Sequence, residues 1–393
     1  MNQGTGRRRQ WLAQALAWGC AAPSWARATA AQAEGPIRLG QSVPLSGPTQ
    51  HLGIEYRRGL LLAFNAANAQ GGVGGRAIEL ISYDDRYEPE AAFGNTRDLL
   101  EADGVFALVG YVGAESVNRC LPLALKAGLP FVAPLTGAES LRQRPPRALF
   151  HLRPGLGAET KLVAQSLQTM NVARTAVLVQ DDADGAAGHE ALLGALHAAG
   201  LPAPVASARV SRNANGQIEM TSAHDIQAAA LALGASQPQA LVCLAAHAST
   251  AAVLNAMRNS GFAGPCYATS LSSAAAIGPL LGARAAGLCV TQVVPSPFDA
   301  SRPLVASYQQ QLLQSGSPAP EYVSLEGWIA GSLLVQALRR MPRNSGRAGL
   351  LDALEGLGGL DLGGFVLRWD AARRQASSQV SMTVLDASGR PRR

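Results

Sequence analysis

The sequence predicts an α/β protein of two doubly wound, parallel-sheet lobes, and three observations predict it. Strand-like and helix-like patterns alternate along most of the chain. The strand segments are short continuous apolar runs, as expected where helices cover both faces of a sheet. At 393 residues the chain exceeds what one hydrophobic core usually supports, so two lobes are expected.

The elements follow in order. Residues 37–43 read as a strand and 51–69 as a helix, stopped by Gly71-Gly72. Residues 77–83 are the next strand and 89–102 the next helix, with Pro89 at its start. Strands at 106–109, 131–133, 176–179, 241–245, 267–269 and 290–294 alternate with helices at 116–127, 158–170, 188–199 and 250–260. Repetition of this kind gives parallel sheets, in which ligands bind beyond the carboxyl ends of the strands and at helix N-termini. The loops there are where function is sought.

The N-terminus carries an export pattern over residues 1–33. Arg7-Arg8-Arg9 is followed by the uncharged apolar run 12–22 and by three small-x-small sites between Ala26 and Ala33. That run is too short to span a bilayer, which takes about 20 residues, so no stable membrane insertion is expected. Whether export is by the twin-arginine or the general route stays open. The protein is expected to be periplasmic, with the signal cleaved between Thr29 and Glu34; Cys20 lacks the residues that precede a lipidated cysteine. Removing Arg7, Arg8, Arg9 and Arg27 takes four of the six net positive charges, leaving no electrostatic reason to bind nucleic acid. Of the remaining cysteines, Cys120, Cys243, Cys266 and Cys289 read as buried thiols, with 266 and 289 the one pair considered for a disulfide.

Catalytic and cofactor motifs are missing. Gly71-Gly72-Val73-Gly74-Gly75 follows a helix and precedes a strand, the reverse of a phosphate-binding turn. Asp181-Asp182-x-Asp184 lacks the spacing of a calcium loop. No nucleophile elbow, zinc-binding helix or P-loop occurs, so no cofactor, no metal and no enzymatic activity are expected.

The loops carry a series of specific motifs: the strand and turn 37–48 ending in Pro44-Leu45-Ser46-Gly47-Pro48, then Gly71-Gly72 to Gly75-Arg76, and Tyr83-Asp84-Asp85 with Pro89. Gly110-Tyr111-Val112-Gly113-Ala114-Glu115-Ser116, Pro134-Leu135-Thr136-Gly137-Ala138-Glu139-Ser140-Leu141 and Phe150-x-x-Arg153 continue it. Together they resemble the loops of the leucine/isoleucine/valine-binding (type I) periplasmic binding proteins. The likeness runs from Ile37 to the C-terminus and rests on element order after Pro204.

The resemblance implies two lobes, 36–152 with 297–361 and 153–296 with 362–393. Three crossovers, near Arg153, 295–298 and 361–364, would let them close on a small ligand. It implies a monomeric receptor that hands an amino acid, amide or related carboxylate to the permease of an ATP-driven importer. A ligand-sensing subunit of a membrane receptor and an exported α/β hydrolase are the alternatives. It also implies ligand-binding residues. Gly113, Ala114, Glu115 and Ser116 form one anion-binding turn, with Ala114 where a hydroxyl is usual. Leu135, Thr136 and Gly137 form the second, with Gly137 at another hydroxyl position, and Leu52 lies beside them. From the other lobe come Asp184 and His247, where aromatics are usual, and Ser270, where the acid that pairs with a ligand ammonium is usual. Asp184 reads either as a substitute ammonium partner or as a solvated turn or helix cap. Glu326 is a further acid that could face the cleft, and Ser46 is expected to brace the first turn.

Overall fold

The computed structural model describes residues 35–211, 221–316 and 319–392; the export pattern and Cys20 lie outside them. The first sheet is built from β1 (Ile37–Val43), β2 (Ile78–Asp84), β3 (Ala107–Val109), β4 (Phe131–Val132) and β5 (Leu149–Phe150), in the order β2-β1-β3-β4-β5, all parallel. Between its strands run α1 (Gln50–Ala69), α2 (Pro89–Glu101), α3 (Ala114–Lys126) and the single turn α4 (Ser140–Gln143).

After α5 (Leu156–Thr169) the chain enters a second sheet. It contains β6 (Thr175–Asp181), β7 (Ala206–Ser211), β8 (Ala240–Leu244), β9 (Cys266–Ala268), β10 (Leu288–Gln292), β11 (Ser381–Leu385) and β12 (Pro391–Arg392). The order is β12-β11-β10-β9-β8-β6-β7, with only β11 and β12 antiparallel to their neighbours. Helices α6 (Ala183–Ala198), α7 (Thr221–Ala235), α8 (His247–Asn259) and α9 (Ala274–Leu281) connect these strands. The chain then returns to the first sheet through α10 (Pro303–Gln314), α11 (Tyr322–Arg340) and α12 (Gly346–Glu355).

Burial follows the covered-sheet expectation. All of β8 and all but the last residue of β6 are buried, whereas the edge strand β7 alternates. Helix α1 packs along α11, and Tyr56, Leu60 and Phe64 share one core with Leu325, Ile329 and Leu333. The two backbones come so close that a Cβ on Gly59 would lie 2.0 Å from the Ser324 carbonyl oxygen, and one on Gly327 would lie 2.2 Å from that of Tyr56. Only glycine fits at either place.

Two expectations shift. Phe365, Leu367 and Ala376 belong to the core around β1 and α1, and His151 bridges to Gln375, so the chain rejoins the second sheet only at Ser381. Cys266 and Cys289 do sit on neighbouring strands, but Cys266 is level with Leu288 and Cys289 with Tyr267. One residue out of register, their side chains face opposite sides of the sheet, and both are free thiols.

Candidate functional site

In each sheet one strand is flanked by neighbours whose connections run to opposite sides, β1 between β2 and β3 and β6 between β7 and β8. Such reversal points open a crevice at the strands' carboxyl ends. The two crevices face each other around a cavity of about 480 Å³ including its open mouth, the place where ligands bind in such sheets. Thr49 and Leu52 reach it after β1, Tyr87 after β2, and Val112 and Gly113 after β3. From the second sheet come Gln180, Asp182, Asp184, Gly185 and Gly188 at β6 and α6, Leu244, Ala245 and Ala246 after β8, and Thr269 and Leu271 after β9. Leu135 and Leu156 complete the wall.

Asp184 is the centre of the site. It sits in the first turn of α6 and is buried. Its Oδ2 accepts the backbone N–H of Ala114 at 2.7 Å, and its Oδ1 accepts the Thr136 hydroxyl at 2.6 Å. Ala114 opens α3, so the carboxylate lies at the positive end of that helix dipole. A side chain from the second-sheet half thus occupies the anion place that the sequence assigned to a ligand. The solvated-turn reading of Asp184 fails on burial, and the helix cap is Asp182, which accepts Gly185 N–H at 2.7 Å.

The neighbouring contacts reinforce this closure. Glu115 accepts the Ala183 N–H at 3.1 Å, and the Tyr87 hydroxyl donates to Asp182 Oδ2 at 3.3 Å. Gly113, with φ 89°, lets the chain turn under the Tyr87 ring; a Cβ there would stand 2.6 Å from that ring. Gly137 carries no hydroxyl because Leu156 fills its place, 2.6 Å from where a Cβ would lie. Ser116 is buried but does not line the cavity.

Ser270 also departs from expectation. Its neighbours Thr269 and Leu271 line the cavity, while its own N–H and hydroxyl donate to Glu159 at 2.9 and 3.1 Å. Glu159 further accepts the Thr291 hydroxyl, and Arg153 donates to Ser270. The Arg153 guanidinium lies 3.4 Å from Glu159 and 3.7 Å from Glu326, all three buried. Glu326 and Ser270 therefore belong to an ionic cluster at the first crossover. Ser46, as expected, braces the β1 turn: its hydroxyl donates to Asp84, which also accepts Leu45 and Ser46 N–H.

His247, at the start of α8, is buried beside Ala246 rather than in the cavity wall. Its ring lies edge-on to His51, centroids 6.0 Å apart, and His51 pairs with Glu321 at 2.8 Å. Burial works against the His51 charge, yet the bond to Glu321 and that residue's charge hold its pKa above the usual value. Burial, then the His51 charge, pulls His247 down to about 4, so it is neutral at neutral pH. Tyr87, Gln180 and Asp182 line the cavity and were not foreseen as site residues. The one available signal was the spacing of Tyr87 and Asp182 from the Asp84-Asp85 and Asp181 strand ends.

Burial, and then the neighbouring Asp182 carboxylate, pushes Asp184 up to about 6, against the Thr136 and Ala114 bonds and the Arg153 charge. A folded value above the unfolded ~3.9 means that Asp184 contributes stability fully below about pH 4 and loses it as pH rises through about 6. The stability of the wild type relative to Asp184→Asn is therefore expected to rise by roughly 2 kcal/mol between pH 7.5 and 4.5. His247 and the other groups are common to both proteins and cancel. Urea midpoints measured across that range test it, and a pH-independent difference would contradict the assigned burial.

Comparison with known proteins agrees with this architecture. A family model described as periplasmic binding protein matches residues 36–390. The Leu/Ile/Val-binding protein homolog 7 of Brucella melitensis is 29% identical over 141 residues, 36% of this chain and 35% of its own length. The leucine-, isoleucine-, valine-, threonine- and alanine-binding protein of Pseudomonas aeruginosa is 28% identical over 150 residues, 38% of each chain. The matched stretch thus spans little more than a third of these curated relatives. Among solved structures, a possible leucine/isoleucine/valine-binding protein of Rhodopirellula baltica superposes with TM-score 0.83 at 29% identity, covering 92% of this chain and 97% of that one. The isoleucine complex of LivJ from Streptococcus pneumoniae shares the fold at 18% identity and TM-score 0.77, over 91% of this chain and 98% of that one. With two switch-point crevices closed face to face and a family match over nearly the whole described chain, the chain belongs to the periplasmic binding protein family.

Proposed function

We propose that this protein is the extracytoplasmic solute receptor of an ATP-driven importer, holding a small ligand in the cavity between its two halves and delivering it to the permease. The observation that carries this reading is the enclosed, mainly apolar cavity at the switch points of both sheets, closed by bonds that cross between them. The lobes are residues 36–152 with 297 to about 377, and 153–296 with the C-terminal strands. We place the third crossover after Ala376; the packing of Phe365, Leu367 and Ala376 in the core around β1 and α1 supports this. Arg153 marks the first crossover. The protein acts as a monomer, without cofactor, and catalyses nothing. Residues 1–33 direct its export to the periplasm, and among the described residues no helix is long and apolar enough to cross a membrane.

A thermal-shift screen over amino acids, amides, amines and aromatic acids tests the reading. A ligand at a hundred times its Kd stabilises by about 2.7 kcal/mol, a readily measured shift. Gly188→Leu, which puts a side chain into the cavity wall, is expected to abolish the shift. No stabilisation by any compound class, or a shift indifferent to Gly188→Leu, would contradict the receptor reading.

A further inference from the structure

We propose that the ligand of this cleft carries no carboxylate, because the chain's own Asp184 carboxylate occupies the donors on α3 and Thr136 that a ligand carboxylate would need. The ligand instead presents an N–H donor, an amine or an amide, on an apolar body. The inference rests on the receptor reading and narrows it to a ligand class.

Several donors around the cavity are already taken by side chains of the protein. At α3, the Ala114 N–H and the neighbouring Thr136 hydroxyl bind Asp184 at 2.7 and 2.6 Å. At α6, the Ala183 N–H binds Glu115 at 3.1 Å and the Gly185 N–H binds Asp182 at 2.7 Å. At α5, the Gly157 N–H binds Glu139 at 2.9 Å. Before α8, the Ala246 N–H binds Gln180 at 2.9 Å. A helix N-terminus attracts anions through these groups, and the starts of α3, α5, α6 and α8 each meet an acceptor belonging to the chain.

The wall repeats the message. Asp182 and Asp184 are its only charged residues, and no Lys, Arg or His is among the lining side chains. An incoming carboxylate would have to displace Asp184 or lie beside two buried acids. At about 4 Å that like-charge contact costs on the order of 4 kcal/mol at an effective dielectric constant near 20, equivalent to about three decades of affinity. A carboxylate has about four acceptor positions, and the described bonds use two at Asp184 and three at Asp182. Capacity for a donor remains. The rest of the wall, including Leu52, Leu135, Leu156 and Leu244, suits a short hydrocarbon body.

A matched pair of probes tests this: L-leucine and isopentylamine, which is leucine without its carboxylate. Both are titrated calorimetrically at pH 7.5 into the wild type, Asp184→Ala and Asp184→Asn, with Asp184→Ser in place of the alanine variant if that one does not fold. The wild type is expected to prefer isopentylamine. Asp184→Ala or Asp184→Ser vacates the α3 donors and is expected to lower the leucine Kd at least tenfold. Asp184→Asn removes the charge but keeps the group's bulk on the α3 donors, and is expected to lower it by less than the small-residue variant does. A wild type that prefers leucine, or an unchanged leucine Kd in the small-residue variant, overturns the inference while leaving the receptor reading intact. Absence of binding by both probes to every variant overturns it as well, since the expected gain is missing. Only that result together with an empty thermal-shift screen removes the receptor reading too.

Discussion

Replacing Arg153 with methionine is expected to destabilise the protein by about 3–5 kcal/mol, the usual penalty for removing one partner from a buried ionic cluster. Arg153 is 1% exposed, Glu159 0% and Glu326 4%. Burial alone would lower the Arg153 pKa, yet the charges of Glu326 and Glu159 hold it above its ordinary value. Without the guanidinium, two carboxylates stay buried without their ion-pair partner, and only the charge of the buried Arg142 still acts on them. Glu159 keeps the Ser270 and Thr291 bonds; Glu326 is left with less, so the double variant Arg153→Met/Glu326→Gln should recover part of the loss. Glu159 lies on α5 and Glu326 on α11, so the same residue ties the first crossover to both halves. Urea unfolding measures the effect, and a loss below about 1 kcal/mol would show that the cluster is solvated or replaceable.

Leucine, isoleucine and valine are expected to bind the wild type poorly, several decades weaker than a receptor built for them. Three positions at which the family resemblance implies polar ligand contacts are altered: Ala114 has no hydroxyl, Gly137 is packed against Leu156, and Ser270 is bound to Glu159. Hydrogen bonds to charged groups contribute roughly 1.5–3 kcal/mol each, so two or three absent ones account for several decades. The Asp184 carboxylate adds repulsion on top of that loss. Calorimetric titration of the three amino acids checks the expectation. Submicromolar affinity for any one would mean that Asp184 leaves its place when ligand arrives.

The fold was legible in the sequence wherever strand and turn fall close together. The strand at 37–43 is found as expected, and from the turns at 110–116 and 134–141 Val112, Gly113 and Leu135 line the cavity. Legibility ended for two physical reasons. Helix α6 starts at Ala183, five residues before the expected 188, because Asp182 caps it; read as a loop, Asp184 had no reason to be buried. Its partners Thr136 and Ala114 lie 48 and 70 residues away, a pairing that no local pattern reports. The C-terminal third fails differently. In α11 residues from Tyr322 to Ala330 are all buried, so no polar face marks the helical period. Strands β11 and β12 are short and antiparallel to their neighbours, outside the strand–helix rhythm. The cysteine pair shows the same limit, since neighbouring strands were inferred but a one-residue register offset was not.

A crystal structure of the protein with a ligand retained from the thermal-shift screen tests the account most directly. The account predicts the ligand between Leu52, Leu135, Leu156 and Leu244, with Asp184 still accepting the Ala114 N–H and the Thr136 hydroxyl. A ligand carboxylate on those two donors, with Asp184 turned away into solvent, would contradict it.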